Sequence, residues 1–251
     1  NGRARNINFG NFMQEQLADG ADRIFGYSGN DLIFGDNAVT DPCIENAGDD
    51  DELHGMQDND IIAGQQRNDT YFFDINSGDD GIVELEGAGT NDITDHGIAD
   101  RLDFTGLTES QSAIVNLSGV TPFVEPLRIA EFGERTGTAP VTITTAGSIA
   151  TTPGGHEFFE QLIGGPGDDV LVANDRNNLL DGRGGADLQQ GGAGDDIYSF
   201  GLDSGSGDQL IETIGSDTLD FSRFTDRNVI VDLIAGTAQH SGGAITIDNP
   251  E

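Results

Sequence analysis

The stretch GGAGDDIYS at residues 191–199 decides the fold. Its glycines tolerate positive φ angles, which let the chain reverse tightly and turn its carbonyl groups toward one point. Asp196, at position six, adds an anionic oxygen, and a hard cation such as Ca²⁺ takes about six to eight oxygen ligands. Residues 197–199 alternate as a short strand with one inward side chain, Tyr198, at position eight. The nonapeptide therefore predicts a turn with a metal ligand, followed by a strand.

This spacing recurs in two stretches of the chain, residues 17–72 and 164–199. The first stretch contains five units, of which the third starts at Gly35 and is interrupted by a loop predicted from Ala38 onward. The second contains four consecutive units. A single Gly-x-Asp occurs often by chance, whereas such a series indicates a repeat protein. The residues at position six are Asp22, Asp31, Asp51, Asp60 and Asp69 in the first stretch, and Asp169, Asn178, Asp187 and Asp196 in the second.

Two nonapeptides predict one coil, so residues two units apart are expected on the same edge of a stack of coils. Asp169 and Asp187 form one such pair, and Asn178 and Asp196 form another. Each calcium ion is expected between successive turns, bound by two of these side chains and by turn carbonyl groups. Units with Asn178 at position six, or with Gln189 in the apolar position, are expected to bind more weakly. The turn residues predicted to contribute are Gly164, Pro166, Gly182, Gly184, Gly191 and Ala193.

The sequences that follow the two stretches are also similar to each other. Tyr71 and Tyr198 open corresponding segments, and Val115-Asn116-Leu117 corresponds to Val231-Asp232-Leu233. These segments contain aspartates with less regular spacing, which we interpret as degenerate repeats. At these aspartates, a turn without a cation is favoured over a turn that still binds one. The aspartates in question are Asp80, Asp100, Asp208 and Asp217.

The similarity predicts three parts of the chain. Residues 1–120 and 164–251 are each expected to form a β-roll module that ends in ordinary strands. Residues 121–163, rich in Thr and Pro, predict connecting strands. The end of this connection carries apolar residues that we interpret as a cap over the first coil, because an open sheet edge needs cover. The cap residues are Phe158, Phe159, Leu162 and Ile163.

The composition favours a fold completed by bound cations. The net charge is −34, from 45 acidic and 11 basic residues, and such self-repulsion opposes a compact state. Apolar residues nevertheless recur at fixed positions, which favours a cation-neutralised fold over a disordered acidic chain. The charge argues against nucleic-acid binding, and no apolar run reaches membrane-spanning length. Because the chain begins at Asn1 without a methionine or a signal sequence, we interpret it as part of a longer or processed protein.

The sequence offers no catalytic constellation. Its many acids recur with the structural period, which favours metal ligands over a catalytic carboxylate pair. The four histidines, at positions 54, 96, 156 and 240, are scattered and form no His-Glu-x-x-His motif. There is no Gly-x-Ser-x-Gly motif, and the single cysteine, Cys43, has no obvious base beside it. We therefore expect no enzymatic activity in this chain.

The repeats GGPGDDVLV at 164–172 and GGAGDDIYS at 191–199 resemble those of the RTX, or hemolysin-type calcium-binding, family. The resemblance covers about residues 17–72 and 164–199. It implies a right-handed parallel β-roll, calcium in the glycine-aspartate turns, and secretion by a type I system of Gram-negative bacteria. Members of the family include toxins, proteases, lipases, epimerases, adhesins and surface-layer proteins. The chain departs from the pattern at the insertion after Gly35, at Ala173 and at Asn178.

These observations predict an all-β protein, a parallel β-roll in two tandem copies with additional strands, that binds several Ca²⁺ ions. The expected function is an extracellular structural or adhesive module that folds on calcium binding and serves as a secreted or cell-surface scaffold. One alternative is the calcium-binding secretion or stability domain of a secreted enzyme or toxin whose catalytic domain lies elsewhere. A second alternative is an architectural subunit of a larger surface assembly. Besides calcium, surface glycans and other protein chains are the partners considered.

Overall fold

In the computed structural model, the described part of the chain consists entirely of strands and the turns between them. It comprises residues 5–6, 21–35, 50–64, 68–83, 100–118, 127–136, 142–151, 159–224, 229–232, 237–240 and 243–248. Within these ranges there is no helix long and apolar enough to cross a membrane. The predicted all-β class is confirmed.

Over the described ranges, the first sheet has nine strands, and every neighbouring pair among them is parallel. In spatial order they are β1 (Arg5–Asn6), β2 (Arg23–Ser28), β4 (Glu52–Gln57), β6 (Thr70–Phe72), β8 (Asp100–Asp103), β12 (Phe159–Ile163), β14 (Leu179–Asp181), β16 (Ile197–Ser199) and β18 (Thr218–Asp220).

The second sheet has twelve strands in the part of the chain that the structure describes. It is mostly parallel, with antiparallel pairs around one hairpin and at one end. In spatial order they are β19 (Ile230–Asp232), β20 (Thr237–His240), β21 (Gly243–Asp248), β17 (Asp208–Ile211), β15 (Leu188–Gln190), β13 (Val170–Val172), β9 (Gln111–Asn116), β10 (Leu127–Thr136), β11 (Thr142–Thr151), β7 (Asp79–Ile82), β5 (Ile61–Ala63) and β3 (Leu32–Phe34).

Within the repeats the chain alternates between the two sheets with each nonapeptide. Strands β13 and β15 lie in the second sheet, whereas β14 and β16 lie in the first. In-register partners are therefore two units apart: Val170 pairs with Leu188, and Leu180 pairs with Tyr198. The predicted coil of two nonapeptides and the parallel β-roll are confirmed.

The core lies between the sheets and is filled by the residues at position eight. A short strand exposes one face of its pleat to the interior, so the middle residue is the enclosed one in most of the three-residue strands. Burying apolar surface there contributes roughly 25 cal/mol per Å². Gln189 occupies the same inward position and is also buried. The buried residues at position eight include Ile24, Ile33, Leu53, Ile62, Tyr71, Leu171, Leu180 and Tyr198.

Both sheets continue through the segment between the two repeat stretches. Strands β10 and β11 form an antiparallel hairpin in the second sheet, where β11 pairs with β7 and β10 pairs with β9. Strand β12 is hydrogen-bonded between β8 and β14 in the first sheet. The two stretches are thus joined through common sheets, while the division into two modules and a connection stays a prediction about folding units.

The apolar residues expected to cap the first coil have a different position. Phe159, Leu162 and Ile163 belong to β12, an internal strand with neighbours on both sides. Without β12, the facing edges of β8 and β14 would leave backbone groups unpaired. An extended apolar segment pairs with both edges and buries its own side chains. Phe158 lies outside the described residues.

Candidate calcium-binding turns

The aspartates at position six form ladders along the turns of the roll. After the first member of each ladder, the carboxylate accepts, through Oδ1, a hydrogen bond from the backbone N–H of the ladder residue one coil earlier. Asp169 donates to Asp187 at 2.9 Å, and Asn178 donates to Asp196 at 2.7 Å. In each pair, the spacing of eighteen residues predicts that the two residues lie on the same edge of the roll. The hydrogen bonds join the two residues of each pair.

Four such ladders run through the described residues. The turns before the first-sheet strands carry Asp22–Asp51–Asp69–Asp100 and Asn178–Asp196–Asp217. The turns before the second-sheet strands carry Asp31–Asp60–Asp80 and Asp169–Asp187–Asp208. The four irregularly spaced aspartates thus end the ladders with the same hydrogen bond, at 2.8–3.1 Å, although their separations from the preceding member are 20, 31 and 21 residues.

The second carboxylate oxygen, Oδ2, faces the glycine that opens the same repeat. A Cβ added at Gly26 would lie 2.7 Å from Oδ2 of Asp31, and one at Gly164 would lie 2.5 Å from Oδ2 of Asp169. Any larger residue would therefore displace the carboxylate or the turn. This close approach explains why position one of a complete repeat is glycine. At Gly164 the added Cβ would also meet the Gly182 carbonyl oxygen at 2.7 Å, because the two turns are stacked.

Several of these Oδ2 atoms are enclosed and unsatisfied. Among the described residues, the side-chain Oδ2 atoms of Asp31, Asp60, Asp80, Asp187 and Asp196 are buried and have no hydrogen-bond partner. Burying a carboxylate oxygen without a donor or a counter-charge is strongly unfavourable. A cation beside these oxygens would remove that penalty, and carboxylate and carbonyl oxygens are the ligands that Ca²⁺ takes. The residues present therefore fit a calcium ion.

The turns supply carbonyl groups beside the carboxylates. Pro166 lies over Gly184, whose added Cβ would be 3.0 Å from the Pro166 carbonyl oxygen, and Gly184 donates its N–H to the Gly165 carbonyl at 3.2 Å. On the opposite edge, Gly191 donates its N–H to the Tyr198 hydroxyl at 2.8 Å, and Ala193 forms an isolated bridge with Ile214. The predicted turn residues thus lie in stacked turns next to the ladders.

In several of the turns, positions two and four adopt positive φ. Gly192 and Gly194 have φ of 104° and 117°, the region in which glycine carries no steric penalty. Some repeats place other residues there: Tyr27 and Met56 at position two have φ of 77° and 78°, and Asp58 at position four has φ of 76°. These side chains strain the backbone by about 1–2 kcal/mol each.

Burial raises the pKa of several ladder carboxyls. It raises the pKa of Asp60 to about 6 and that of Asp80 to about 7. Burial likewise raises the pKa of Asp208 to about 6, and burial together with the Glu212 and Asp217 carboxylates raises that of Asp196 to about 7. For Asp187, burial and the neighbouring carboxylate of Asp169 also raise the pKa. Without a cation, the ladders hold their negative charges at a high energetic cost.

A second, outer ladder at position five was not expected from the sequence. Asp195 donates its N–H to Oδ1 of Asn177 at 2.7 Å, and Ala186 donates to Oδ1 of Asp168 at 2.9 Å. Ser216 extends the first of these by donating to Asp195 at 2.9 Å. The recurrence of Asp or Asn just before position six was a visible signal, since a short polar side chain there reaches the backbone of the next coil.

Stacked glycine turns with inward carboxylates, joined by three-residue strands, define a calcium-binding parallel β-roll. The particular repeat is the RTX calcium-binding nonapeptide, present in 4 copies that match residues 18–38, 47–71 and 163–198. These ranges coincide with the two stretches identified from spacing, so the predicted RTX calcium-binding repeat is confirmed. The comparison with curated proteins gives no match.

Proposed function

We propose that this chain is an extracellular scaffold that folds on calcium binding and presents the outer faces of its β-roll. The observation that carries the proposal is the set of buried, unpartnered Oδ2 atoms of Asp31, Asp60, Asp80, Asp187 and Asp196. These atoms lie in turns that a compact fold must stack, so the fold and the cation requirement are linked. The proposed function is therefore a property of the whole roll rather than of a single cleft.

Electrostatics supports a switch between two states. With a net charge of −34, the chain without cations repels itself, and the ladders concentrate like charges at a spacing of one coil. A ligand that binds only the folded state stabilises that state in proportion to the logarithm of its concentration. We propose that the low calcium of the cytosol leaves the repeats unfolded for export. The higher calcium outside the cell then folds them.

A non-enzymatic role is part of the proposal. The closely spaced carboxylates that could resemble a catalytic pair, such as Asp169 and Asp187, are already bonded to backbone N–H groups of neighbouring coils. Their periodic placement supports a structural task. Secretion from a Gram-negative bacterium, and a place on its surface, follow from the resemblance to RTX proteins and belong to this proposal as well.

The test is a calcium titration of the 251-residue chain. Far-UV circular dichroism and hydrodynamic radius are measured in chelator and then at calcium concentrations from about 10⁻⁷ to 10⁻² M, a span that covers sensor and extracellular affinities. We expect an expanded chain in chelator and a compact β-rich one in millimolar calcium. Magnesium at equal concentration is the control, because it keeps its own waters and prefers octahedral sites. Equal β content in chelator and calcium would contradict the proposal.

A second candidate, the calcium-binding part of a secreted enzyme, shares the same turns. It is distinguished by the full-length gene. A protease, lipase or epimerase domain encoded next to these residues would favour the enzyme candidate, whereas further repeats or a surface anchor would favour the scaffold.

A further inference from the structure

The last coil of the Asn178–Asp196–Asp217 ladder differs from the others at its first position. Residues 212–217 stack on residues 191–196: Asp196 donates its N–H to Oδ1 of Asp217 at 3.0 Å, and Ser216 donates its N–H to Oδ1 of Asp195 at 2.9 Å. Both pairs are separated by 21 residues. The same separation places Glu212 over Gly191, at position one of the next coil. A complete repeat would have glycine at that position.

Glu212 brings a third carboxylate into this coil. One side-chain oxygen each from Asp196, Glu212 and Asp217 lies within 4.8 Å of the other two. Glu212 Oε1 contacts the hydroxyl of Tyr198, and its Oε2 accepts the N–H of Thr213 at 3.2 Å. Asp196 is fully buried, Glu212 is half-buried and Asp217 is exposed, so the cluster opens from the interior toward solvent.

The burial of Asp196 is a second, independent indication that this cluster binds a ligand. The side chain of Asp196 has 0% exposure, and within the described chain its Oδ2 has no hydrogen-bond partner. That oxygen faces the enclosed space beside Gly191: a Cβ added to Gly191 would collide with it and would lie 2.7 Å from the Tyr198 hydroxyl. Since the same hydroxyl contacts Glu212, the unsatisfied oxygen is aimed into the space that the Glu212 carboxylate borders.

We propose that Asp196, Glu212 and Asp217 form a divalent-cation site at the end of the ladder, with Glu212 as a side-chain ligand in the position of the repeat glycine. This site rests on the proposed calcium-dependent folding, and it differs from the repeat sites in its ligands. An ordinary site is bracketed by two position-six side chains, whereas here three carboxylates converge. Because charge count raises the affinity of an oxygen-ligand site for Ca²⁺, this site binds the ion more tightly than a described repeat site with two carboxylates does.

The site also has a structural consequence. The next coil carries glutamate at a position that is glycine in a complete repeat, so without a cation three carboxylates repel one another at the point where β18 joins β16. With a cation bound, the same residues tie residues 212–217 to the preceding turn. A bound cation therefore holds the last coil of the calcium-binding part of the roll against the coil before it.

The experiment measures calcium binding to the full chain by isothermal titration calorimetry, with far-UV circular dichroism of the same samples. Three variants are compared with the parent: Glu212→Gln removes the charge, Glu212→Gly restores the repeat residue, and Glu109→Gln is the control. Glu109 is exposed and lies outside the four ladders, so the control removes an equal charge from a different place. Calcium chloride is the only ligand added.

We expect the tightest class of calcium sites to weaken at least about tenfold, or to disappear, in both Glu212 variants, and to be unchanged in Glu109→Gln. Parent-like binding by Glu212→Gln would overturn the site. If Glu212→Gln fails to fold, Glu212→Gly decides: parent-like stoichiometry and affinities in that variant would also overturn it. Failure of the proposed function is separate, because the parent itself would then show no calcium-dependent folding.

Discussion

The backbone N–H of Asp169 donates a 2.9 Å hydrogen bond to Oδ1 of Asp187, and the buried Oδ2 of Asp187 has no hydrogen-bond partner in the described structure. One carboxylate thus has two tasks. Its first oxygen joins two coils through the backbone, and its second is left for a cation. Coil stacking and cation binding are therefore coupled in a single side chain.

Removing the charge while keeping the first hydrogen bond should weaken calcium binding. In Asp187→Asn the amide oxygen can still accept the N–H of Asp169, but the anionic ligand is lost. We expect the calcium concentration at the folding midpoint to rise about tenfold, equivalent to about 1.4 kcal/mol. Circular dichroism against free calcium measures the midpoint. Asp175→Asn, at an exposed position outside the ladders, should leave it unchanged.

The reverse substitution is available in the neighbouring ladder. Asn178 is fully buried and occupies position six, so Asn178→Asp restores the repeat residue. We expect a lower calcium midpoint in this variant because it gains an anionic ligand. We also expect lower stability in chelator, because it gains a buried charge. Urea denaturation with and without calcium measures both effects, and a change of the same sign in both conditions would argue against a cation at this turn.

Acid should stabilise the metal-free fold. Burial raises the pKa of Asp60 to about 6 and those of Asp80 and Asp196 to about 7, above the value of about 3.9 for an unperturbed aspartate. Between about pH 4 and pH 7 the metal-free fold therefore binds more protons than the unfolded chain does. Its stability is greatest below about pH 4 and is lost as the pH rises through 7.

With saturating calcium the pH dependence should have the opposite sign. Metal ligands must be deprotonated, so protons compete with calcium and stability falls on acidification. Circular dichroism from pH 4 to pH 8, recorded in calcium-free buffer and in calcium, checks both trends. Parallel pH profiles in the two buffers would show that the ladder carboxyls do not hold the ion.

A methyl group at position one should disrupt a turn. In Gly164→Ala the new Cβ would lie 2.5 Å from Oδ2 of Asp169 and 2.7 Å from the Gly182 carbonyl oxygen, so one of them has to move. We expect a loss of about 1–3 kcal/mol in the free energy of unfolding in calcium. Gly81→Ala is the matched control, because its Cβ would meet neighbouring atoms only at 3.9 Å. Similar losses in both variants would contradict the steric explanation.

Glycine at a strained position two should stabilise the roll. Tyr27 has φ of 77° and is 45% exposed, so Tyr27→Gly removes backbone strain and only part of a buried side chain. We expect the free energy of unfolding in calcium to rise by about 0.5–1 kcal/mol. Gln57→Gly, at an exposed strand position without positive φ, should lower it by about 0.5–1 kcal/mol. Urea denaturation separates the two signs, and destabilisation by Tyr27→Gly would refute the strain argument.

The sequence alone determined the coil. Within an unbroken run of nonapeptides the spacing sets which residues coincide after one turn, so the pairs Asp169–Asp187 and Asn178–Asp196 could be named without coordinates. Position six supplied the carboxylates and position eight the core, because short strands with one inward side chain leave no other arrangement. The same spacing identified the calcium-binding repeat.

The tertiary structure decided what happens where the period is broken. Asp22 and Asp51 are 29 residues apart, Asp69 and Asp100 are 31 apart, and packing rather than spacing makes them neighbours in one ladder. Strand β12, expected as a cap, became an internal strand because two sheet edges needed hydrogen-bond partners. Glu212 lies beside the Asp196–Asp217 pair because the coils stack there at a separation of 21 residues, which the nonapeptide spacing does not predict. A roll stacks coils by backbone hydrogen bonds, which tolerate inserted residues that erase the pattern in the sequence.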